Sequence, residues 1–308
     1  MQISLLLFKQ IVSMFLMIMM GYILVKTRLI KGEESKGISM VVLYLVMPCV
    51  IINSFQVEYS SETVHGLLLA FLAAVLIHVI LLVLIYPLGK LCKLDEVEKA
   101  SVIYSNAANL IVPIVTVVLG EEWVIYSCAF ISVQLILLWS HCRSMLSGEK
   151  GFEVKKVLGN VNMLAIGVGM VLFFTGIRLP KVLADTVSSV SAMVAPASMF
   201  VIGMLIADVK LKEILMNRRI YFIMTLRMLV FPMIMLFVLK YSGLYRLAEN
   251  GRTILLVSLL AAMTPPASTV TQMAQVYGRD ARYASAVNIV STFVCIVTMP
   301  IMVYLYML

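Results

Sequence analysis

The chain is poor in charge. Only 13% of its 308 residues are Asp, Glu, Lys or Arg, against about 25% in an average soluble protein, and 62% are hydrophobic. That balance excludes a soluble globular domain and a disordered chain alike, and no polar block is long enough to fold as a separate soluble domain. Histidine is scarce, with three residues, and the five cysteines (Cys49, Cys92, Cys128, Cys142, Cys295) show no CxxC spacing. Neither a zinc site nor a disulfide framework is expected. The GxG within "IGVGM" lies in an apolar run, where it permits close helix packing and offers no nucleotide site. No organic cofactor or metal is therefore expected. The excess of positive charge, +8, gathers on no single face or tail, so no nucleic-acid partner is expected. Acids are missing where they would matter most for ion relays: none lies deep in an apolar run, and Asp208 sits at the end of one.

What is present is a succession of apolar runs, each long enough to cross a bilayer core at about 20 residues per helix. The spans read as 3–25, 36–56, 64–89, 98–119, 122–145, 158–177, 182–208, 218–240, 252–276 and 281–306. This is an all-α polytopic membrane protein with the lipid bilayer as its solvent. The first run carries one early lysine, Lys9, and no small-residue cleavage site, so it reads as a retained helix. Connecting segments on alternate sides differ sharply in charge. Seventeen basic residues, from Lys26 to Arg282, fall on one side and five (Arg178, Lys181, Lys240, Arg246, Arg252) on the other. The positive-inside rule puts the rich set in the cytoplasm and both termini outside a cell membrane.

The central loop "SGEKGFEVKKVLGN" divides the spans five and five, giving repeat one at 1–146, a cytoplasmic linker at 147–157 and repeat two at 158–308. A shift of 148 residues brings "GYILVKT" (Gly21 to Thr27) onto "GMVLFFT" (Gly169 to Thr175) and Pro48 onto Pro196. Because five is odd, two such halves must insert with opposite orientation. Inverted repeats are the pattern of secondary transporters, whose sites lie near the midplane where broken helices meet.

The interruptions fall in corresponding spans. The fourth holds "SNAANLIVPIV", with Asn106, Asn109 and Pro113; the ninth holds "TPPAST", with Pro265 and Pro266. Proline donates no N–H, so Pro113 frees the carbonyl of Asn109, and the proline pair frees those of Ala261 and Ala262. Backbone freed in hydrocarbon must face protein, water or substrate. Two antiparallel broken helices would bring half-helix N-termini to one point, and their partial positive charge favours an anion there. Asn106 and Asn109 share a helix face and add amide groups for a polar ligand; the bland alternative is that they bond freed backbone.

Other candidates are weighed against plainer roles. Arg227 lies about 12 Å deeper along its helix than the flanking Arg219, placed either as a carboxylate counter-ion or as a cap for freed carbonyls. His78 is the one candidate proton carrier inside a span. Ser268, Thr269, Thr271 and Asn53 offer oxygens, Ser268 to a substrate and the others to a coupling ion, leaving sodium or proton coupling open. Gln134 and Asn288 read as helix–helix contacts, and Gln272 lies beyond the double proline. An integral-membrane enzyme using His141 or Cys142 lacks the second carboxylate or metal cluster such chemistry needs, so the chain is not read as an enzyme.

With these residues in view, the chain resembles the auxin efflux carrier family, in a bacterial-type member. The likeness rests on "YSNAANLIVPIVTVVLG" (104–120), "PASMFVIGMLIADVKL" (196–211), "TLRMLVFP" (225–232) and the long run "PPASTVTQMAQVYGRDARYASAVNIVSTFVCIVTMP" (265–300). It implies ten helices in a five-plus-five inverted repeat, distantly related to sodium–bile acid symporters, with two proline-broken helices crossing at the substrate site. It points to Asn109, Pro113 and Pro265, and implies transport of small carboxylates such as malate or malonate, or of auxin. A sodium-coupled organic anion symporter is the alternative, and a homodimer is compatible with the family. The chain lacks the long central loop of the plant carriers.

Overall fold

The computed structural model describes residues 2–57, 59–149, 158–159, 161–207 and 217–308. The expected linker lies outside these from residue 150 on, as do Asp208, Lys210 and Lys212. The side chains of Asn109, Pro113 and Gln272 also lie outside the described set.

The helices are α1 (Gln2–Lys26), α2 (Gly32–Ser54), α3 (Ser61–Leu91), α4 (Glu96–Ile103), α5 (Ala107–Val118), α6 (Glu121–Ser147) and α7 (Val161–Thr175). They continue as α8 (Lys181–Ser191), α9 (Val194–Ala207), α10 (Arg218–Tyr241), α11 (Gly251–Met263), α12 (Ser268–Val276) and α13 (Ala281–Met307). Helix thus occupies every stretch in which a span is expected. By length and composition α2, α3, α6, α10 and α13 can each cross a membrane, while α7 and α11 are shorter apolar helices. In hydrocarbon only intrasegment bonding satisfies the backbone, which is why runs without alternation fold as helix.

Three helices carry their own start signals. The side chains of Ser60 and Asp280 accept the N–H groups of Thr63 and Tyr283. Asp95 and Glu98 form a reciprocal capping box at 2.8 and 3.0 Å. Inside the long helices, two of the π-turns, Val42–Val46 and Leu226–Val230, each lie just before a proline, Pro48 and Pro232. The missing N–H there leaves a carbonyl that the wider turn accommodates. The seventh span is also in two pieces, parted at Ala192 and Met193 ahead of Pro196. No break was expected there. Pro196 falls in the first turn of α9, where a missing N–H disrupts nothing.

Packing sorts the helices into two groups. In one, α1 runs along α9, and α2 packs against α7, α8 and α9. The α1–α9 crossing is close enough that a Cβ at Gly21 would overlap the Phe200 carbonyl, and one at Gly203 would overlap that of Ile18. A Gly203→Ala protein should therefore lose several °C in melting temperature. Gly167→Ala, into open space, should melt near wild type; equal melting of the two would refute the close approach. The second group joins α3 to α6 and α11, and α13 to α10 and α12. Arg219 ties its polar end, donating to Glu98 at 2.6 and 2.8 Å and to the carbonyls of Cys92 and Lys93 at 3.0 Å. The Tyr283 hydroxyl donates to Glu98 at 3.0 Å.

Candidate functional site: a crossover of two interrupted helices

Between α4 and α5, and again between α11 and α12, the chain leaves the helix and the two breaks pair. Ser105 and Pro266 form an isolated antiparallel bridge. It is closed by Asn106 N–H to the Pro265 carbonyl at 2.7 Å and Ala267 N–H to the Tyr104 carbonyl at 2.9 Å. Two residues past each bridge position a new helix begins, at Ala107 and at Ser268. The break in the fourth span therefore sits at 104–106. It does not sit at Pro113, through which α5 runs without interruption. A proline removes one donor from a helix, whereas the bridge removes the whole of one turn.

In this type of antiparallel pair the bridge residues turn their own polar groups away from each other. Ser105 then needs partners elsewhere, and Gln134 of α6 supplies both. Its Oε1 accepts from Ser105 N–H at 3.1 Å and from Ser105 Oγ at 2.5 Å, and its Nε2 donates to the Ser105 carbonyl at 2.7 Å. Pro266 has no N–H, so only its carbonyl needs a partner, and Asn288 Nδ2 of α13 donates to it at 2.6 Å. These two amides, expected as contacts between helices, instead brace non-helical backbone. The signal for that role was in the sequence: a single primary amide in the span next to each break.

The helices entering the crossover end on Arg227. Its guanidinium, 1% exposed, donates to the Val102 carbonyl of α4 at 2.9 Å and the Ala262 carbonyl of α11 at 2.8 Å. It also donates to the Thr264 carbonyl at 3.2 and 2.7 Å. Of the two readings open at the sequence level, these contacts are the capping one. The arrangement separates charge. A full positive charge lies at two helix C-termini, where the dipole is negative, and the N-termini of α5 and α12 leave the bridge with partial positive charge.

The other candidates fall around this centre. Asn106 is buried at the head of α5, and Asn109 follows in its first turn. Ser268, Thr269 and Thr271 are half-buried along α12, and Pro265 and Pro266 are buried in the bridge segment. His78 lies in the α3–α6 interface with its ring 4.8 Å from that of Phe130. Its Nδ1 meets the Ala74 carbonyl at 2.7 Å, and its Nε2 is buried with no hydrogen-bond partner. Asn53 is elsewhere. It lines a cavity of about 450 Å³ with Thr116, Glu121, Glu122 and Ser191, between the end of α2, the end of α5 and the α8–α9 break. Thr116 lies nine residues beyond Ala107, about 14 Å along the helix from the crossover. The structure thus distributes the ion-coupling candidates over three places.

A family model described as a membrane transport protein matches the chain twice, over residues 6–157 and 152–303. The two matches meet at the central loop and together span nearly the whole sequence. No curated protein matches the chain.

Proposed function

Since the chain belongs to the auxin efflux carrier type of the membrane transport protein family, and is a multi-pass membrane transporter, we propose that it moves small organic carboxylates by alternating access. The observation that carries this reading is the pair of helix N-termini leaving one bridge while Arg227 occupies the opposite, C-terminal side. An anion at the N-terminal side meets N–H groups of the first turns of α5 and α12, Asn109 being a residue of the first of these turns, with the amide of Asn106 and the hydroxyls of Ser268 and Thr269 beside them. Pro265 and Pro266 shape this site through the backbone, and Pro113 follows six residues beyond Ala107 on α5. Arg227 acts as a pin that holds both entering helices, and contributes to the anion only through its field.

In this reading the ten spans form two inverted five-span repeats, and each packing group draws on both. The group of α1, α2, α7, α8 and α9 is the scaffold, and the group around the crossover is the moving unit. The basic loops face the cytoplasm, which puts the cavity at Asn53 and Glu121 on the outer side, between the two units, as a vestibule.

The test is ligand-dependent melting of the purified protein with malate, malonate and indole-3-acetate in turn. One of these should raise the melting temperature of wild type by a few °C, and Asn109→Ala and Ser268→Ala should lose most of that rise. A rise of equal size in all three proteins would place the ligand away from the crossover. No rise with any acid would remove the carboxylate assignment.

A further inference from the structure

His141 has no part in the site described above, yet it is hydrogen-bonded to Tyr104, a residue that closes the bridge. It lies in a π-turn of α6, Leu138–Cys142, and both of its ring nitrogens are occupied. Nδ1 is 2.7 Å from the hydroxyl of Tyr104, and Nε2 is 2.7 Å from the hydroxyl of Tyr86 on α3. The Tyr104 hydroxyl also donates to the Leu137 carbonyl at 3.3 Å. With that proton committed, Tyr104 accepts from Nδ1–H, and Nε2 is left as acceptor for the Tyr86 hydroxyl.

This geometry has two consequences. First, the ring can take a proton without stranding any group. On protonation Nε2 becomes a donor, and the Tyr86 hydroxyl has only to rotate its hydrogen away and accept. Tyr86 is 47% exposed and lies one turn before Lys90 at the end of α3, so the rotated hydroxyl has room for a new partner. Second, the other side of the ring bears on the crossover. Tyr104 is fully buried, and its carbonyl is the acceptor for Ala267 N–H, one of the two bonds that close the bridge.

His78 lacks the first property. It is buried at 1% exposure, and its Nε2 makes no hydrogen bond. The groups facing His141 are Tyr86 from α3 and Tyr104 from the break after α4. Arg143, the nearest cation in sequence, donates to Tyr277 at 3.2 Å and Glu149 at 3.1 Å.

We infer that His141 is a proton-binding site of this protein and that its protonation is linked, through Tyr104, to the crossover. The link to transport rests on the carboxylate-carrier reading above; the link to the bridge does not. The full chain in lipid nanodiscs, labelled with ¹⁵N-histidine, carries only His65, His78 and His141. The His141 signals, assigned by their loss in His141→Gln, should titrate at a higher pH than those of His78, the more deeply buried of the two.

Exchange protection of the Asn106 and Ala267 amides, corrected for intrinsic rates, should then change several-fold over the pH range of the His141 titration in wild type. It should be flat in His141→Gln, whose amide can keep a bond to each tyrosine. Titration of His78 in place of His141, or equal pH dependence of the two amides in both proteins, would overturn the inference. Malate flux into proteoliposomes at varied pH separates the two readings. If His141 titrates and the amides respond but no flux occurs, the malate reading fails and the proton site stands. If flux occurs with the same pH profile in wild type and His141→Gln, the proton link to transport is wrong.

Discussion

Arg227→Met should be the most damaging single substitution in the protein. Methionine fills much of the same volume with apolar atoms, but the carbonyls of Val102, Ala262 and Thr264 lose their donors in a buried region. At about 1–3 kcal/mol for each buried group left unsatisfied, the loss is on the order of 3 kcal/mol or more. The two helix C-termini would also face each other with their negative ends uncompensated. Purified Arg227→Met should melt far below wild type, or fail to accumulate, and Arg227→Lys should fall between the two, since an ammonium can serve some of the three acceptors. The same change at Arg219, whose side chain is 38% exposed, should cost less but not little, because the Glu98 carboxylate is 6% exposed and keeps only the Tyr283 hydroxyl and the Asp95 N–H as donors. If Arg227→Met melts like wild type, the capping role is wrong.

The second large effect concerns the braces. Gln134→Leu leaves both the N–H and the carbonyl of Ser105 without partners, whereas Asn288→Leu leaves only the carbonyl of Pro266. The expected costs are about 2–6 and about 1–3 kcal/mol, in that order. Both should speed hydrogen exchange at the Asn106 and Ala267 amides, and Gln134→Leu should speed it more. Equal exchange in the two variants, or the reverse order, would mean that the bridge does not depend on these amides.

How much of this was legible follows from which interactions are local. Apolar run length placed helix in every expected span, because the bilayer leaves the backbone no other choice. The capping box at Asp95 and Glu98 is likewise written in adjacent residues. The fourth-span break was anticipated in the right helix but assigned to Pro113, because proline is a local signal and the bridge is not. Ser105 finds Pro266 across 161 residues, and no periodicity reports that pairing. Arg227 shows the same division. Its depth could be counted along its own helix, but its acceptors belong to α4 and to the end of α11. Gln134 and Asn288 were seen as amides in spans, and the extended backbone they serve belongs to other elements. Site residues drawn from one stretch, such as Asn106 and Asn109, do stay together in space; Asn53, chosen for its chemistry alone, lies in a different cavity.

The bridge between Ser105 and Pro266 also sets a clock on biogenesis. At a synthesis rate of about 5–20 residues per second, Pro266 follows Ser105 after about 8 to 32 s. Through that interval α4 and α5 reside in the membrane as an interrupted helix with half of its bridge missing, and Gln134, made within seconds of Ser105, is the only brace already available. A nascent chain arrested before residue 265 should thus expose the Tyr104–Asn106 backbone to whatever insertion factor or lipid headgroup is near. The crossover is in this sense a late joint of the molecule, and its second brace, Asn288, arrives 22 residues after Pro266.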